Sequence, residues 1–320
     1  MKFDDLFKFD PAKRFHIGVE EEVWTVNPDT GLLVSGALKV FVDGYENRWP
    51  GFKPELPAQQ IEVITPPCGT LDELETALRR NDDLLQQAAE EYGFRISRDP
   101  IPTKPFAIEV FPKERYQFIQ RKHGERLRSA YVAGLHIHVG LGSREEAVAA
   151  MNVLRMHLAR FLSFSARSPS YDGVHPYGRS VRYLEYSRMA GETVPPFLKD
   201  WNHFRAIADA CGFTKDPRMC WWALRISPHG TIELRVCDIQ ERVEKTMALA
   251  ALMRLLVKLS VNDAHGDIYP RDISVEPLAD ALQEAALHRV DPTAYLNKTR
   301  RIASREEFDE ERPYLAELKV

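Results

Sequence analysis

The sequence is poor in cysteine and has no cysteine spacing that would build a metal site. Four cysteines occur in 320 residues, at positions 68, 211, 220 and 237, and no two of them form a CxxC pair. The N-terminus, MKFDDLFKFDP, also lacks the apolar stretch of a secretory signal. Together these absences favour reduced thiols and a cytoplasmic location over a disulfide-bonded secreted protein.

Long apolar runs, excess positive charge and the common nucleotide motifs are absent as well. The longest apolar segment, TMALAALMRLLVKLSV, is interrupted by Arg254 and Lys258, which predicts a packed helix and no membrane span. The formal net charge is −4, so no nucleic-acid partner is indicated. Neither GxxxxGKS nor GxxxxGKT occurs, and VGLGS lacks the third glycine of a dinucleotide fingerprint.

Hydrophobic periodicity predicts an α+β fold. Because the chain has no repeat, low-complexity tract or Gly/Ser linker, we expect one domain over residues 1–320. Strands are predicted at 15–26, 59–65, 94–97, 134–143, 220–227 and 231–238, the last two as a hairpin. Helices are predicted at 38–49, 70–91, 113–121, 144–164, 201–211, 242–262, 275–287 and 305–318, with a loop-rich segment at 166–199.

The stretch HIGVEEEVW, residues 16–24, places three adjacent glutamates inside a predicted strand. Positions i and i+2 of a strand share a face, so Glu20 and Glu22 point one way and Glu21 points the other. Two carboxylates about 7 Å apart on one face are unfavourable unless a cation lies beside them. For Glu21 we expect a salt bridge or an exposed strand end.

Three further strands show the same pattern of one apolar face and one face with Glu, His or Arg. The residues on the polar faces are Glu62 in QIEVIT, His136 and His138 in GLHIHVG, and Glu233 and Arg235 in GTIELRVCD. Four such strands predict a single sheet with an ionic face that binds cations and anions.

The residue types on this face narrow the chemistry. Carboxylates with one or two imidazoles suit Mg²⁺ or Mn²⁺ better than a structural zinc ion. Arginines suit phosphate, because the guanidinium fork matches phosphate oxygens; Arg225 and Arg235 flank the hairpin, and Arg182 lies in the loop-rich segment. Divalent metals and arginines on a sheet indicate phosphoryl transfer from ATP without a P-loop.

The sequence resembles the type 2 glutamate–cysteine ligases, also called carboxylate–amine ligases, which are related to glutamine synthetase. The segments GVEEEVW, QIEVITPP, GLHIHVG, SARSPSYDG and GTIELRVCD occur in the family's order, over roughly residues 15 to 260. The resemblance implies a curved, mainly antiparallel sheet that forms a funnel-shaped active site, with helices on its outer face. It also implies ATP-dependent amide formation through an acyl phosphate.

The resemblance assigns roles to individual residues. The metal ligands it implies are Glu20, Glu22, Glu62, His136 and Glu233, and Glu55 is a weaker candidate. Arg235 matches a phosphate-contacting arginine, so Arg235 and Glu233 are the expected catalytic residues. The residues expected to bind ATP are Arg182, Arg225, Arg235 and His138. The segments VHPYGRS and LQEAALHRVD depart from the family pattern, so the resemblance does not fix the substrate.

We therefore expect an ATP- and Mg²⁺-dependent (or Mn²⁺-dependent) ligase that joins a small carboxylate, with glutamate as a candidate, to an amine or amino acid. We expect it to act as a cytoplasmic homodimer. Two alternatives remain open. One is a metal-dependent hydrolase that uses His136 and His138 with a metal-bound water. The other is an inactive relative that binds nucleotide and metal without turnover.

Overall fold

A seven-stranded antiparallel sheet forms the centre of the protein. The computed structural model describes residues 3–41, 48–262, 270–289, 291 and 293–318. The strands are β1 (Ile17–Val26), β2 (Phe52–Pro54), β3 (Gln60–Ile64), β4 (Arg95–Ser97), β5 (Gly134–Gly140), β6 (Leu224–Ser227) and β7 (Thr231–Asp238). Their order is β2-β3-β1-β5-β7-β6, and β4 pairs with the end of β1. All of these pairs are antiparallel.

Helices surround the sheet. They are α1 (Gly36–Phe41), α2 (Leu71–Tyr92), α3 (Glu114–His123), α4 (Arg144–Leu154), α5 (Leu158–Ser165), α6 (Val181–Ala190), α7 (Trp201–Ala210), α8 (Val243–Asn262), α9 (Val275–Leu287), α10 (Thr293–Ala303) and α11 (Arg312–Leu315). Short 3-10 turns cover Phe3–Leu6, Pro11–Lys13, Gly124–Ala130, Arg155–His157, Pro217–Met219 and Glu306–Phe308. Within the described residues, no helix has both the length and the apolar character needed to cross a membrane.

The apolar face of the sheet packs against the long helices. The apolar residues alternate with the charged residues of the same strands, so they all point to this face. Examples are Ile17 and Val19 of β1 and Ile137 of β5, which are fully buried or nearly so. Helices α2, α4, α5 and α8 cover this face. The charged residues are thereby left together on the opposite face.

Sequence signals explain where two of the helices behind the sheet begin. The Thr70 hydroxyl accepts a hydrogen bond from the Glu73 amide and caps α2, as the capping-box pattern predicts. Ser143 caps α4 in the same way through the Glu146 amide. Both caps fix helices that lie behind the sheet, where α2 contacts β1 and α4 contacts β6 and β7.

The α+β class and the mainly antiparallel sheet are confirmed. Three helix predictions are wrong: α6 lies in the segment predicted as loops, α10 was not predicted, and the helix expected at 305–318 is only a 3-10 turn and α11. The helix expected at 144–164 is interrupted at Arg155–His157, where the buried Arg155 guanidinium donates to the carbonyls of Pro195 and Ile273. Residues 42–47 of the helix expected at 38–49 lie outside the described residues.

Candidate active site

The pairing register brings the predicted ionic residues onto one patch of the sheet. Glu20 lies opposite His136 across β1 and β5, and Glu22 lies opposite Glu62 across β1 and β3. His138 lies opposite Glu233 across β5 and β7. Four strands that are far apart in sequence therefore present their polar side chains to the same space.

Glu20 is at the centre of this patch because it contacts both histidines. Its Oε2 lies 3.2 Å from His136 Nδ1, and its Oε1 lies 3.4 Å from His138 Nε2. His138 Nδ1 is hydrogen-bonded to the Thr231 hydroxyl at 2.9 Å, which fixes the orientation of the ring. His138 Nε2 is buried and faces the carboxylates of Glu20 and Glu233 at 3.4 and 4.0 Å, so the three side chains could share one cation.

Among the described residues, two groups of ligand atoms are close enough to hold metal ions. One is formed by Glu20, Glu62 and His136 and the other by Glu20, His138 and Glu233, with the atoms of each group within 4.8 Å of one another. Two carboxylates and one imidazole in each group suit a hard divalent cation such as Mg²⁺ or Mn²⁺. The residues therefore fit the cations that the sequence predicts.

The carboxylates on the β3 side have raised pKa values, first because they are buried and second because negative charge is crowded there. Burial, together with the charges of Glu20, Glu55 and Glu22, raises the pKa of Glu62 well above its ordinary value. Burial and the charge of Glu55 raise the pKa of Glu22 to about 7. A bound divalent cation would remove this repulsion and favour the ionised carboxylates.

Glu233 is in the opposite situation because two arginines hold it. Burial would raise the pKa of Glu233, but Arg225 and Arg235 keep it well below its ordinary value. Arg225 Nε donates to Glu233 Oε2 at 2.5 Å, and Arg235 Nη1 donates to Glu233 Oε1. The Arg235 Nε is buried without a hydrogen-bond partner among the described residues, so a donor remains for an anion.

The histidines differ from each other as well. Burial and the nearby charge of Arg235 lower the pKa of His136 to about 4, so its imidazole is neutral and can bind a metal. For His138, burial opposes the charged form, but Glu20 and Glu233 outweigh it and raise the pKa. A cation at Glu20 would compete with the proton on His138.

Two cavities open onto this patch. We name the first the arginine cavity: it has a volume of about 400 Å³ and is lined by Arg115, Arg182, Arg218, Arg225 and Arg235 together with Glu20, Glu22, Glu55 and Glu62. We name the second the lysine cavity: it has a volume of about 610 Å³ and is lined by Lys8, Lys13, Lys53, His16, His138, His229 and Glu20. Glu20 and Lys53 line both cavities, so the two spaces meet at the carboxylates.

Two residues have surroundings that differ from the rest of the patch. Arg182 lines the arginine cavity, but its Nη1 and Nη2 donate to the backbone carbonyls of Val236 and Arg235, at 2.9 and 3.1 Å. Its predicted contact with ATP remains a prediction.

Glu21 is buried behind the sheet, where its carboxylate lies 3.7 Å from the Arg98 guanidinium and 3.3 Å from the Thr246 hydroxyl. The expected salt bridge is therefore present, and the alternative of an exposed strand end is wrong.

Several cavity residues gave no signal in the sequence. Lys53 lies opposite Glu62 on the edge strand β2, and Glu55 follows two residues later with its carboxylate buried. Arg115 enters from α3 and Arg218 from the 3-10 turn Pro217–Met219, neither of which belongs to the sheet. Of these residues, only Glu55 had a signal, as the weaker metal-ligand candidate that the family resemblance implied.

Comparison with known proteins gives a family match over most of the chain. The model of the glutamate-cysteine ligase family 2 (GCS2) matches residues 16–310. A relative from Chloroflexus aggregans, provisionally named glutamate–cysteine ligase 2, is 31% identical over 251 residues, which are 76% of this chain and 64% of the relative. A relative from Rubrobacter xylanophilus with a similar provisional name is 32% identical over 78% of this chain and 70% of its own length. The matched part thus spans about two thirds of these relatives.

Solved structures share the fold at low identity. A bifunctional glutathione synthetase from Pasteurella multocida superposes with a TM-score of 0.67 at 16% identity, over 96% of this chain and 47% of that one. A glutamate–cysteine ligase from Francisella tularensis, crystallised with AMP, gives a TM-score of 0.61 at 11% identity, over 98% and 83% of the two chains. These likenesses establish the architecture.

Proposed function

Because the chain belongs to glutamate-cysteine ligase family 2, we propose that it is an ATP-dependent carboxylate–amine ligase that works through an acyl phosphate. The observation that carries the proposal is the sharing of Glu20 by two metal-ligand groups. Phosphoryl transfer from ATP depends on divalent cations, and the two adjacent oxygen-rich groups would hold them.

The proposed reaction begins with activation of a carboxylate, which is a poor electrophile. A carboxylate oxygen attacks the γ-phosphorus of ATP, the bond to the β–γ bridging oxygen breaks, and ADP leaves. The amine then attacks the acyl carbon and phosphate leaves, so that one amide, one ADP and one phosphate form. No side-chain nucleophile is needed, because both attacking groups belong to the substrates.

The chain's residues have defined tasks in this reaction. Glu20, Glu62, His136, His138 and Glu233 would hold Mg²⁺ or Mn²⁺, which neutralises charge on the transferred phosphoryl group. Arg235 would stabilise that charge, and Glu233 positions its guanidinium. Arg225 lies at the wall of the arginine cavity, where its Nε donates to Glu233 Oε2 at 2.5 Å. Two fixed guanidiniums beside the metal ligands suit an anionic substrate.

We propose a small carboxylate as the donor, with glutamate as the first compound to examine, and an amine or amino acid as the acceptor. We further propose that residues 1–320 act as one catalytic unit in the cytoplasm and that the chain is a homodimer. Sedimentation equilibrium tests the dimer directly: a single species at the mass of one chain would contradict it.

Phosphate release tests the proposal. The chain is incubated with ATP and Mg²⁺ or Mn²⁺ against pools of carboxylates and amines, and release that needs both substrates is expected. Glu20→Gln should fold and release almost none, because a neutral amide is a weaker metal ligand. Release of a hydrolysis product without nucleotide, with Zn²⁺ as the preferred ion, would instead support the hydrolase. Nucleotide binding without turnover against every pool would support the inactive relative.

A further inference from the structure

The lysine cavity differs in charge from the carboxylate patch that it adjoins. Three lysines and two histidines line it beside His138, whereas its acidic lining residues in the described part of the chain are Asp10 and Glu20. The ammonium groups of Lys8 and Lys13 form no ion pair with any described residue. The cavity is therefore a positively charged space that ends at the metal-ligand group of Glu20, His138 and Glu233.

Lys8 and Lys13 belong to a segment that lies outside the family match. The match begins at residue 16, while Lys8, Phe9, Asp10 and Lys13 already line the cavity. This wall of the cavity is thus supplied by the chain's own N-terminal segment, which we define as residues 3–15.

Backbone hydrogen bonds hold the N-terminal segment against the sheet. The Lys8 amide donates to the Pro228 carbonyl at 3.0 Å, and the Phe15 amide donates to the Gly140 carbonyl at 2.9 Å. A side chain at Gly230 would collide with the Lys8 carbonyl, so the close approach of the segment to the β6–β7 turn requires glycine there. The segment is therefore a built part of the cavity.

Aromatic packing anchors the beginning of the same segment. Phe3 and Phe7 are buried against Trp201 and Phe204 of α7, with ring centroids 5.0 to 5.8 Å apart. Such aromatic pairs add to the stability gained from apolar burial. Lys8 directly follows Phe7, and its amide is bonded to the Pro228 carbonyl, so these two contacts hold the backbone of Lys8 at the cavity wall.

The lining of the cavity indicates the chemical class of its ligand. Ammonium groups bind phosphate oxygens as point charges, and three of them suit a polyphosphate better than a single carboxylate. The half-buried Phe9 and Ile64 and the exposed Pro67 supply an apolar part that an uncharged ring system could contact. With a volume of about 610 Å³, the lysine cavity is larger than the arginine cavity and lies within the range of roughly 300–1,000 Å³ that is usual for ligand pockets.

We propose that Lys8 and Lys13 of the N-terminal segment bind the polyphosphate of a nucleoside triphosphate in the lysine cavity. The arginine cavity is then left for the carboxylate and the amine, and the two ligands meet at Glu20. This assignment rests on the proposed ligase function, since it gives the nucleotide of that reaction its place.

Binding of a non-hydrolysable ATP analogue in the presence of Mg²⁺, followed by calorimetry, tests the assignment without relying on turnover. Lys8→Ala combined with Lys13→Ala should weaken binding of the analogue by about tenfold or more, because each lost charge contact is worth roughly a factor of ten. Adenosine, which has no phosphate, should bind the variant as well as the wild type. Lys8→Arg should retain most of the affinity, since the charge remains.

The exposed Lys199, which lines neither cavity, provides a matched control, and Lys199→Ala should bind the analogue like the wild type. If the double variant keeps its affinity for the analogue while its KM for the carboxylate rises, the lysine cavity holds the carboxylate and the assignment is overturned, although the ligase proposal stands. If the wild type binds no nucleotide with Mg²⁺ or Mn²⁺, both the assignment and the ligase proposal fail.

Discussion

Glu20 connects the two halves of the candidate active site through a single carboxylate. It is the ligand that both metal-ligand groups have in common, whereas Glu62 belongs to one group only. The two positions should therefore respond differently to the same substitution. Neutral glutamine keeps the size of glutamate but is a weaker ligand for a hard cation.

Mn²⁺ titration followed by electron paramagnetic resonance separates these effects. We expect the wild type to bind two ions, as the two groups predict, and Glu62→Gln to bind one. Glu20→Gln should bind neither at the same concentration. The exposed Glu125→Gln serves as the control and should bind like the wild type. Two tightly bound ions in Glu20→Gln would contradict the shared role of this residue.

Arg235 should be sensitive to loss of its planar fork even when its charge is kept. Arg235→Lys should lower kcat by about a hundredfold, the size of effect found when one charge-stabilising donor is removed. Arg95→Lys, an exposed substitution at the start of β4, should leave kcat unchanged. Near wild-type turnover in Arg235→Lys would exclude Arg235 from catalysis. Thermal unfolding of both variants shows whether the fold is intact.

The raised pKa of Glu22 makes a prediction about stability and pH in the absence of metal. Its carboxyl ionises near the ordinary value of 4.5 in the unfolded chain but at about 7 in the folded one. The folded state therefore binds more protons between these values, and stability due to Glu22 falls as the pH rises from about 4.5 to 7.

Comparison with Glu22→Gln isolates this effect from the other ionisable groups. The free energy of unfolding of the wild type, relative to the variant, should fall by up to about 3 kcal/mol between pH 5 and pH 8. Urea unfolding at each pH, with a chelator present, measures it. A difference that is constant or that grows with pH would show that Glu22 is ionised at low pH in the folded protein.

At the scale of residues, the two-residue period of the strands was enough to place Glu20, Glu62, His136 and Glu233 on one face. The pairing register between strands could not be read in the same way. Lys53 lies opposite Glu62 only because β2 pairs with β3 in one particular register. Such a residue carries no signal in its own segment.

At the scale of elements, α6 shows why a sequence pattern can fail. Its first six residues, Val181 to Tyr186, are all buried, because the sheet, α9 and the turn Gly124–Ala130 contact it on different sides. Two of the six are the charged residues Arg182 and Glu185. A helix that is buried all round and carries buried charges has no apolar stripe, so its period could not be detected.

The close contact between Arg182 of α6 and Gly134 of β5 predicts that a larger residue at position 134 destabilises the protein. A side chain at Gly134 would collide with the Arg182 guanidinium and approach the Glu22 carboxylate, which accepts a hydrogen bond from the Gly134 amide at 2.5 Å. Gly134→Ala should therefore destabilise the protein by about 1–3 kcal/mol, as overpacking does in cores.

Gly18→Ala on β1 is the matched control, because its added atom would meet only the Thr65 hydroxyl and the Pro66 carbonyl at ordinary distances of 3.8 and 3.9 Å. Chemical unfolding compares the two variants. Equal stability of Gly134→Ala and the wild type would mean that Arg182 moves freely, and its role as a fixed wall of the arginine cavity would be lost.

At the scale of the whole molecule, the first and last segments that the structure describes pack against the sheet and its helices. The Lys258 ammonium lies 2.6 Å and the Arg254 Nε 2.9 Å from the fully buried Glu311 carboxylate, which joins the last segment to α8. The Leu71 amide at the start of α2 donates to Glu310 at 2.6 Å. These long-range contacts, like the N-terminal wall of the lysine cavity, follow from tertiary packing and have no local signature in the sequence.

The nucleotide products of a productive turnover test the central claim most directly. The metal-ligand groups beside Arg235 would hold divalent cations, which would favour attack at the γ-phosphorus by neutralising the charge that develops there. Chromatographic separation after amide formation should show ADP and phosphate in equal amounts with the amide. AMP and pyrophosphate accumulating in step with the amide would contradict the acyl-phosphate route and the proposed role of these glutamates.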